Sequence, residues 1–297
     1  MQLDKFKVQL AIALDEQRLL GDYTATEKLD GVRAVALKYS DGFHLFSRQG
    51  RELTGLNDVI SDLNSADIEH EVLDGELLIS RRSKDASADF RKTMSITNTK
   101  GDKTGIKYHI FDVERSREAF LNHFSINMYN ERRTTLNRLK MALKGRKNVT
   151  VVPELYTGSD TSEIHRIYDD IISRGGEGVV LNRNSAMYHF GRGNDMLKIK
   201  QQYDNDGRIV GFKHGLGRFS DILGALEVTY KDTTITLGTG FTDADRQQIW
   251  DNQDNLLGSI VTYKFTSETH DNRGNINLRF ARFVSLRLDK NDTNFES

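Results

Sequence analysis

The sequence contains no cysteine and a single proline in 297 residues. Without cysteine the chain cannot form disulfide bonds, thiolate metal sites or a cysteine nucleophile. No apolar run reaches the roughly 18–20 residues that a membrane-spanning helix requires. The N-terminal residues, MQLDKFKVQLAIALDEQ, also lack the basic and then apolar order of a secretory signal. We therefore expect an intracellular, cytoplasmic protein that does not enter a membrane.

The sequence also lacks an excess of charge of either sign. Its 42 Lys and Arg residues are balanced by 43 Asp and Glu residues, and neither half carries the polybasic tail of many DNA-binding proteins. Binding of a polyanion therefore requires local patches of basic side chains. The stretch 81–103 is one candidate, although its basic and small polar residues are more typical of a solvated loop.

Alternating apolar and polar residues indicate that strands dominate the first part of the chain, with YSDG as a hairpin turn between the first two. Helical spacing of apolar residues predicts one helix over 127–144. A second, capped helix is predicted within 159–178, ending at Gly175 and Gly176. The segments with the strand pattern are 24–40, 42–53, 71–80, 105–114, 149–155, 178–184 and 196–202.

The pattern changes near residue 203. Short strands and glycine-rich turns follow, interrupted by one predicted helix over 242–253 with Thr242 or Asp243 as its N-cap. About five short strands and one helix suit a small Greek-key barrel such as the oligonucleotide-binding (OB) fold. We therefore predict two domains, residues 1–202 and 203–297, with the boundary near 201–205.

The short stretch KLDGVR, residues 28–33, combines an amine, a carboxylate and a guanidinium around one glycine. A lysine becomes a good nucleophile when nearby cations or loss of solvent favour its neutral form, and chemistry at phosphorus requires cations that hold the phosphate oxygens. Lys28 on a strand and Arg33 after the Asp30-Gly31 turn would point into one pocket. Taken alone, the stretch also fits an ordinary hairpin turn with charged edges.

Further motifs follow KLDGVR along the chain, and the ordered set is far more specific than any single motif. Together they resemble the motifs of the covalent nucleotidyltransferases, which comprise DNA ligases, RNA ligases and mRNA capping enzymes. The motifs are SRQGRE (47–52), LDGELL (73–78), HIFDVE (109–114), GEGVVL (176–181) and LKIK (197–200).

The C-terminal part resembles the corresponding domain of ATP-dependent DNA ligases through GALEV (224–228), LGTGFTDADR (237–246) and ARFVSLRLDK (281–290). The whole chain is most similar to the minimal two-domain viral and bacterial type. The resemblance implies an α+β nucleotidyltransferase (adenylation) domain with mostly antiparallel sheets, followed by an all-β OB-fold domain.

The resemblance implies covalent catalysis by Lys28, which would attack the α-phosphate of ATP and become a lysyl-adenylate. Lys198 and Lys200 lie two apart on a predicted strand, hence on one face, and would neutralise the α-phosphate. Arg192 resembles the arginine that engages the 5′-phosphate in this family. The residues that the resemblance assigns to catalysis are Lys28, Asp30, Arg33, Arg192, Lys198, Lys200, Arg287 and Lys290.

The resemblance also assigns a nucleotide site. Phe111 would stack on adenine, Glu76 would accept hydrogen bonds from the ribose hydroxyls, and Arg48 would bind the phosphate side. Asp112 and Glu114 alternate with Phe111 and would point outward to shape the same pocket. The residues assigned to nucleotide binding are Thr26, Glu27, Lys28, Leu29, Arg33, Arg48, Glu76, Phe111, Glu177, Lys198 and Lys200.

A divalent metal ion, Mg²⁺ or Mn²⁺, is expected beside the nucleotide. Magnesium prefers hard oxygen ligands and keeps several of its waters. The resemblance assigns the metal to Glu177, acting through water, and to Glu76. The eight histidines, in contrast, show no ligand spacing.

The resemblance therefore implies an ATP-dependent DNA ligase that acts as a monomer on nicks in double-stranded DNA. AMP would pass from Lys28 to the 5′-phosphate at the nick, and the 3′-OH would then seal the strand. Arg287 and Lys290, in the terminal RLDK, would orient the leaving pyrophosphate. NAD⁺ is nearly excluded as the nucleotide, because the long bacterial ligases that use it carry a four-cysteine zinc module and an additional N-terminal domain.

Other functions stay open at this point. An RNA ligase or a capping-type guanylyltransferase would share the chemistry of Lys28. Labelled ATP compared with GTP, and nicked DNA compared with RNA ends, would distinguish them. A non-catalytic duplex-binding protein with the same fold would form no covalent AMP.

Overall fold

A computed structural model describes residues 1–14, 19, 21–80, 86–200, 202–270 and 276–293. The chain divides into two compact units, Met1–Lys200 (unit 1) and Gln201–Ser297 (unit 2). Each unit has hydrophobic clusters of its own. Within the described ranges, no helix is both long and apolar enough to cross a membrane.

Unit 1 consists of two five-stranded sheets with helices packed against them. Its helices are α1 (Asn57–Asn64), α2 (Ala86–Thr97), α3 (Arg117–Leu121), α4 (Tyr129–Ala142) and α5 (Thr161–Ser173). Its strands are β1 (Gln9–Ala13), β2 (Tyr23–Lys28), β3 (Val32–Tyr39), β4 (Gly42–Ser47), β5 (Val72–Ile79), β6 (Ile106–Glu114), β7 (Val149–Val151), β8 (Glu154–Gly158), β9 (Gly178–Arg183) and β10 (Gly191–Lys200).

The strand order is β1-β10-β9-β2-β8 in the first sheet and β4-β3-β5-β6-β7 in the second. Neighbouring strands are antiparallel except for β1 with β10 and β6 with β7, so the predicted mostly antiparallel sheets are confirmed. The single proline, Pro153, lies between β7 and β8, where the chain leaves the second sheet and enters the first. Proline has no N–H for a strand ladder, which suits this crossing point.

The helix α5 determines where the strand β9 begins. Its apolar residues Ile164, Ile167 and Ile171 are buried at helical spacing, and Asp160 caps its first turn by accepting a hydrogen bond from the Ser162 amide. The chain then turns at positions 175 and 176 and enters β9, as the sequence predicted. This turn places Glu177 directly before β9.

Three helices of unit 1, namely α1, α2 and α3, lie where the sequence did not predict them. The predicted loop over 81–103 is wrong for Ala86–Thr97, which form α2, while residues 81–85 lie outside the described part of the chain. Inside α2, the Thr93 hydroxyl accepts a hydrogen bond from the amide of Ile79 at the end of β5. The buried threonine thus holds α2 against β5, although the composition of α2 is typical of a loop. Helix α1 was likewise missed within a strand-like region.

Unit 2 is built around one five-stranded sheet of order β13-β12-β11-β14-β17. Thr242 is the N-cap of its longer helix, which settles the choice between Thr242 and Asp243. The first half of the long strand β11 pairs with β14 and the second half with β12, as in a bent barrel strand. The elements are β11 (Tyr203–His214), β12 (Leu223–Tyr230), β13 (Thr233–Leu237), α6 (Asp243–Asp251), α7 (Gln253–Leu256), β14 (Ile260–Phe265), β15 (Ser267–His270), β16 (Ile276–Arg279) and β17 (Arg282–Arg287).

Candidate active site

A cavity of about 230 Å³ opens in unit 1, and strands of both sheets contribute to its walls. Both charged and apolar side chains face it, which suits a ligand with a phosphate end and an aromatic end. Most of the residues predicted to bind the nucleotide lie here. The lining residues are Leu10, Ala11, Thr26, Glu27, Lys28, Leu29, Arg33, Arg48, Glu76, Phe111, Val180, Asn182, Arg192, Met196 and Lys198.

The register of three neighbouring strands brings the predicted nucleophile to its partners. Lys28 on β2 lies opposite Gly178 on β9, and Gly178 lies opposite Lys200 on β10. The Lys28 Nζ atom is therefore 2.6 Å from the Oε2 atom of Glu177, which directly precedes β9. Gly178 has φ +149°, and a Cβ atom there would lie 2.0 Å from the carbonyl oxygen of Ile199, so this close approach of β9 and β10 requires glycine.

The charges around Lys28 shift the pKa values of its neighbours. Burial raises the pKa of Glu177, an effect that the charge of Lys28 opposes. Burial lowers the pKa of Lys198, and the charges of Lys28 and Lys200 lower it further. Asp30, Glu177 and Lys200 are not among the residues that line the cavity, but Asp30 and Lys200 both act electrostatically on Glu177 and so lie beside it.

Arg33 is held by an ion pair that the sequence did not predict. Its Nε and Nη2 atoms donate to the two carboxylate oxygens of Asp74 at 2.6 and 2.5 Å, and its guanidinium lies 4.5 Å from the centre of the Phe111 ring. Burial alone would lower the pKa of Arg33, but the charge and hydrogen bonds of Asp74 raise it. Arg33 is therefore a fixed cation in the cavity wall.

Glu76 lies opposite Arg33 in the pairing of β3 with β5 and also lines the cavity. Burial raises its pKa to about 7, although the positive charges of Arg33 and Lys28 act in the opposite direction. This carboxyl group therefore changes its ionisation near neutral pH. A group that titrates there inside a cavity is a functional candidate on physical grounds.

The predicted outward orientation of Asp112 and Glu114 is wrong. The pairing of β5 with β6 shifts at Phe111, so that Asp112 lies opposite Asp74 while Val113 joins the same core as Ile110. Both carboxylates are buried, and neither lines the cavity. The Arg132 Nε atom donates to Asp112 at 2.8 Å, and the Ser125 hydroxyl donates to Glu114 at 2.6 Å. Helix α4 supplies the counter-charge through Arg132.

Sequence reasoning missed several residues of the cavity wall. Strand alternation could have identified Val180, Asn182 and Met196, because they share faces with Gly178 and with Lys198 on β9 and β10. Leu10 and Ala11 carried no such signal. They reach the cavity because β1 pairs with β10 in parallel, with Leu10 opposite Arg192, across more than 180 residues of sequence.

The predicted residues Arg287 and Lys290 belong to unit 2. The Lys290 Nζ atom is 2.5 Å from the Oδ2 atom of Asp206, and Arg287 donates to both carboxylate oxygens of Asp289 at 2.9 and 2.8 Å. Asp206 is buried and also accepts a hydrogen bond from the hydroxyl of Thr262. Both cations are thus held by acids of their own unit.

The donor groups at the cavity fit a magnesium ion. Within the described ranges no three Asp, Glu or His side chains are grouped as a metal cage. Magnesium, however, is commonly held by one or two carboxylates together with waters and the phosphates of its substrate. Glu177 acts electrostatically on Glu76, and Lys28 acts on both, so Glu177 lies near the carboxylate of Glu76 in the cavity wall.

Comparison with known protein families gives a consistent result. Residues 8–200 match the family model described as ATP dependent DNA ligase domain, and residues 214–287 match the DNA ligase OB-like domain. The chain is 26% identical over 264 residues to a DNA ligase of Haemophilus influenzae, covering 88% of this chain and 85% of that one. It is 24% identical over 295 residues to DNA ligase 2 of Methanosarcina mazei and spans about half, 51%, of that longer protein.

Solved structures are similar in fold as well. A structure described as part of a structure-function study of Lig E DNA ligases has a TM-score of 0.72 and 26% identity, over 95% of this chain and 99% of the other. A structure named Pmar-Lig_Pre. has a TM-score of 0.83 and 24% identity, over 95% and 68%. With a family model that covers most of unit 1 and a second that covers most of unit 2, the chain belongs to the ATP-dependent DNA ligase family.

Proposed function

We propose that this chain seals 5′-phosphate/3′-OH nicks in duplex DNA through a lysyl-AMP intermediate on Lys28 and then a DNA-adenylate. Residues 1–202 would form the adenylation domain and residues 203–297 the OB-fold domain of a cytoplasmic monomer. The observation that carries the proposal is the position of Lys28, whose amine faces a cavity with Glu177 at 2.6 Å and with Lys198 in the wall.

The first step would join Lys28 to AMP. The ammonium group must lose a proton before its nitrogen can attack, and the Glu177 carboxylate, in hydrogen-bond contact, is placed to accept it. The new N–P bond forms as the bond between the α-phosphate and pyrophosphate breaks. Lys198 would bind the α-phosphate oxygens, where its positive charge stabilises the charge that develops.

The nucleoside would occupy the apolar part of the cavity. The exposed face of the Phe111 ring would stack on adenine, with Val180 and Met196 in the opposite sheet. Glu76 would accept hydrogen bonds from the ribose hydroxyls, and Thr26 would contact the base. The residues proposed to bind the nucleotide are Thr26, Glu27, Lys28, Leu29, Arg33, Arg48, Glu76, Phe111, Glu177, Lys198 and Lys200.

A bound Mg²⁺ or Mn²⁺ would neutralise phosphate charge beside Lys28. Glu177 and Glu76 would hold it, since carboxylate oxygens are the ligands that magnesium prefers. Lys200, which lies opposite Gly178 and beside Glu177, would add positive charge at the same end of the cavity. Asp30 would act there through its charge on Glu177.

The second and third steps would take place on DNA. The 5′-phosphate oxygen attacks lysyl-AMP and displaces the Lys28 amine, and then the 3′-OH attacks the activated 5′-phosphate and displaces AMP. Arg192 would engage the 5′-phosphate. Arg287 and Lys290 of unit 2 would orient pyrophosphate in the first step. Contacts with the duplex would go mostly to phosphates, so we expect binding to weaken as salt concentration rises.

A gel assay tests the proposal directly. The protein is incubated with ATP, Mg²⁺ and a duplex that carries one labelled nick with a 5′-phosphate, and the expected product is the full-length strand. The matched control is the same nick with a 5′-hydroxyl, which must stay unsealed. Replacement of ATP by GTP, and of the DNA nick by RNA ends, tests the alternatives of a capping-type guanylyltransferase and an RNA ligase. Sealing only with GTP or only of RNA would contradict the proposal.

A further inference from the structure

A closed ring of buried polar groups joins the two sheets of unit 1 beside the cavity. Tyr188 precedes β10. Its hydroxyl donates to Asp74 Oδ2 at 2.5 Å and accepts a hydrogen bond from the backbone N–H of Gln9 at 3.0 Å. Asp74 holds Arg33 through two hydrogen bonds, and Arg33 donates in turn to the Gln9 carbonyl at 3.4 Å. Arg33 and Asp74 come from the second sheet, whereas Gln9 belongs to the first.

The charges in this ring fix the direction of each hydrogen bond. Burial raises the pKa of Tyr188, and the negative charge of Asp74 raises it further, so the hydroxyl keeps its proton and acts as a donor. Asp74 is 1% exposed and, as a carboxylate, can only accept. Tyr188 and Arg33 therefore both donate to Asp74, and the backbone N–H of Gln9 donates to Tyr188.

Only Arg33 among these groups lines the cavity, and its guanidinium lies over the ring of Phe111. The hydrogen bonds that connect Tyr188 with Arg33 run through Asp74 and the backbone of Gln9. We propose that Tyr188 is a positioning residue, which through Asp74 fixes the guanidinium of Arg33 against Phe111 and joins the two sheets at the spacing that the nucleotide requires. This inference rests on the proposed function, because it assumes that Arg33 and Phe111 act on ATP.

Removal of the Tyr188 hydroxyl has a defined physical consequence. The buried carboxylate of Asp74 would lose one of its donors, and such a hydrogen bond to a charged group contributes more than an average one. Asp74 would then be free to shift, and the arginine with it. The aromatic ring itself packs against Phe120 and Phe190, at 5.4 and 5.0 Å between ring centres, and phenylalanine would preserve these contacts.

The experiment compares Tyr188→Phe with Tyr129→Phe. Tyr129 is also buried, and the guanidinium of Arg132 lies 5.3 Å from its ring and 5.6 Å from that of Tyr188, so both tyrosines share this neighbour. Tyr129 makes no contact with Arg33. The single-turnover rate of AMP transfer from α-labelled ATP to the protein is measured for both, with thermal unfolding as a check of folding. We expect about a tenfold loss for Tyr188→Phe and less than a twofold loss for Tyr129→Phe.

A double-mutant cycle distinguishes positioning from a general loss of structure. If Tyr188 acts through Arg33, Tyr188→Phe has little further effect on the rate in an Arg33→Lys background, because the pair of hydrogen bonds to Asp74 is already lost. An equal loss in both backgrounds, or an unchanged rate in the single variant, would overturn the proposal.

A second measurement does not depend on catalysis. The Arg33 Nε–H proton is held by Asp74, so its NMR signal should exchange slowly with water in the wild type and at least several-fold faster in Tyr188→Phe. Unchanged exchange would overturn the positioning role even if AMP transfer were slowed. Should the wild type carry no AMP at all, the proposed function fails, and the exchange rate alone decides whether Tyr188 holds Arg33.

Discussion

The buried carboxylates of the two units differ in the direction of their pKa shifts. Glu114 in unit 1 and Asp206 in unit 2 are each 6% exposed. Burial raises the pKa of Glu114 to about 7 despite a hydrogen bond from Ser125. Burial acts in the same direction on Asp206, but hydrogen bonds from Lys290 and Thr262 outweigh it and lower the pKa.

The hydrogen-bond donors and cations close to each acid contribute to this difference in pKa. The nearest cation to Glu114 is Arg132, 3.8 Å away, and Arg132 is already paired with Asp112. Asp206, in contrast, has Lys290 at 2.5 Å and Arg287 at 3.9 Å. Unit 1 therefore carries carboxyl groups that titrate near neutral pH, whereas unit 2 keeps its buried acid ionised beneath two cations.

The largest expected effect is the loss of the nucleophile in unit 1. Lys28→Ala should reduce labelling by α-labelled ATP by at least about a thousandfold, since no other group forms the N–P bond. Lys28→Arg keeps the positive charge beside Glu177 and should be equally inactive. Labelling is measured on a denaturing gel. A variant of either kind that still carried AMP would remove Lys28 from the proposed mechanism.

The cations of unit 2 should matter for one step only. Lys290→Ala should slow AMP transfer to the protein by roughly 10- to 100-fold, because a charge proposed to bind pyrophosphate is lost. Sealing of a nick that already carries AMP releases no pyrophosphate and should change less than about threefold. Lys231→Ala is the matched control, since Lys231 forms a similar ion pair with Glu268 at 2.6 Å in the same unit. Equal loss in both steps would contradict the assignment.

The titration of Glu76 predicts a pH dependence of nucleotide use. Its pKa is raised to about 7, so the carboxylate that would accept the ribose hydroxyls forms as pH rises from 6 to 8. The rate of AMP transfer at limiting ATP should rise several-fold over this range, and Glu76→Gln should flatten the profile. Glu114→Gln is the control, because Glu114 has a similar pKa but does not line the cavity. A sloping profile in Glu76→Gln would reject the assignment.

The smallest effect concerns stability. Because the folded-state pKa of Glu114 lies above its ordinary value of 4.5, its contribution to stability is complete below pH 4.5 and is lost as pH rises through about 7. Glu114→Gln should therefore unfold like the wild type at pH 4 but be more stable by about 1–2 kcal/mol at pH 8.

Asp206→Asn should behave in the opposite manner. The pKa of Asp206 is lowered below its ordinary value of 3.8, so its contribution is present above that pH and is lost as pH falls through the folded-state pKa. The variant should be less stable at pH 7 and approach the wild type in strong acid. Thermal unfolding of both variants against pH checks the pair of predictions. If both substitutions changed stability in the same direction, burial alone would govern the pKa values of these two acids.

Where the site lies on regular strands, the local sequence pattern was sufficient to predict the position of its residues on those strands. The alternation in LKIK put Lys198 and Lys200 on one face, and the capped helix before β9 put Glu177 at the start of a strand. The assignment of Asp112 failed because alternation gives the face of a strand but not what covers it. Here the register of β6 shifts at Phe111, and Arg132 of α4 pairs with the buried Asp112.

Other parts of the site depend on pairing between distant segments. Leu10 reaches the cavity through its parallel pairing with Arg192, and Tyr188 reaches Asp74 across 114 residues of sequence. Helix α2 was missed for a related reason. Its composition is polar, and it is held to β5 by the Thr93 hydroxyl and the Ile79 amide, a contact that has no local signature.

The absence of a side chain at Gly178 limits how the cavity can be changed by mutation. Any side chain at that position would collide with Ile199, so a substitution there cannot change the space beside the amine of Lys28. Two residues further along the same strand, Val180 faces the cavity, and a smaller residue could replace it without such a collision. Substitutions that are meant to admit an enlarged, tagged adenine nucleotide should therefore be made at Val180, and Gly178 should be kept.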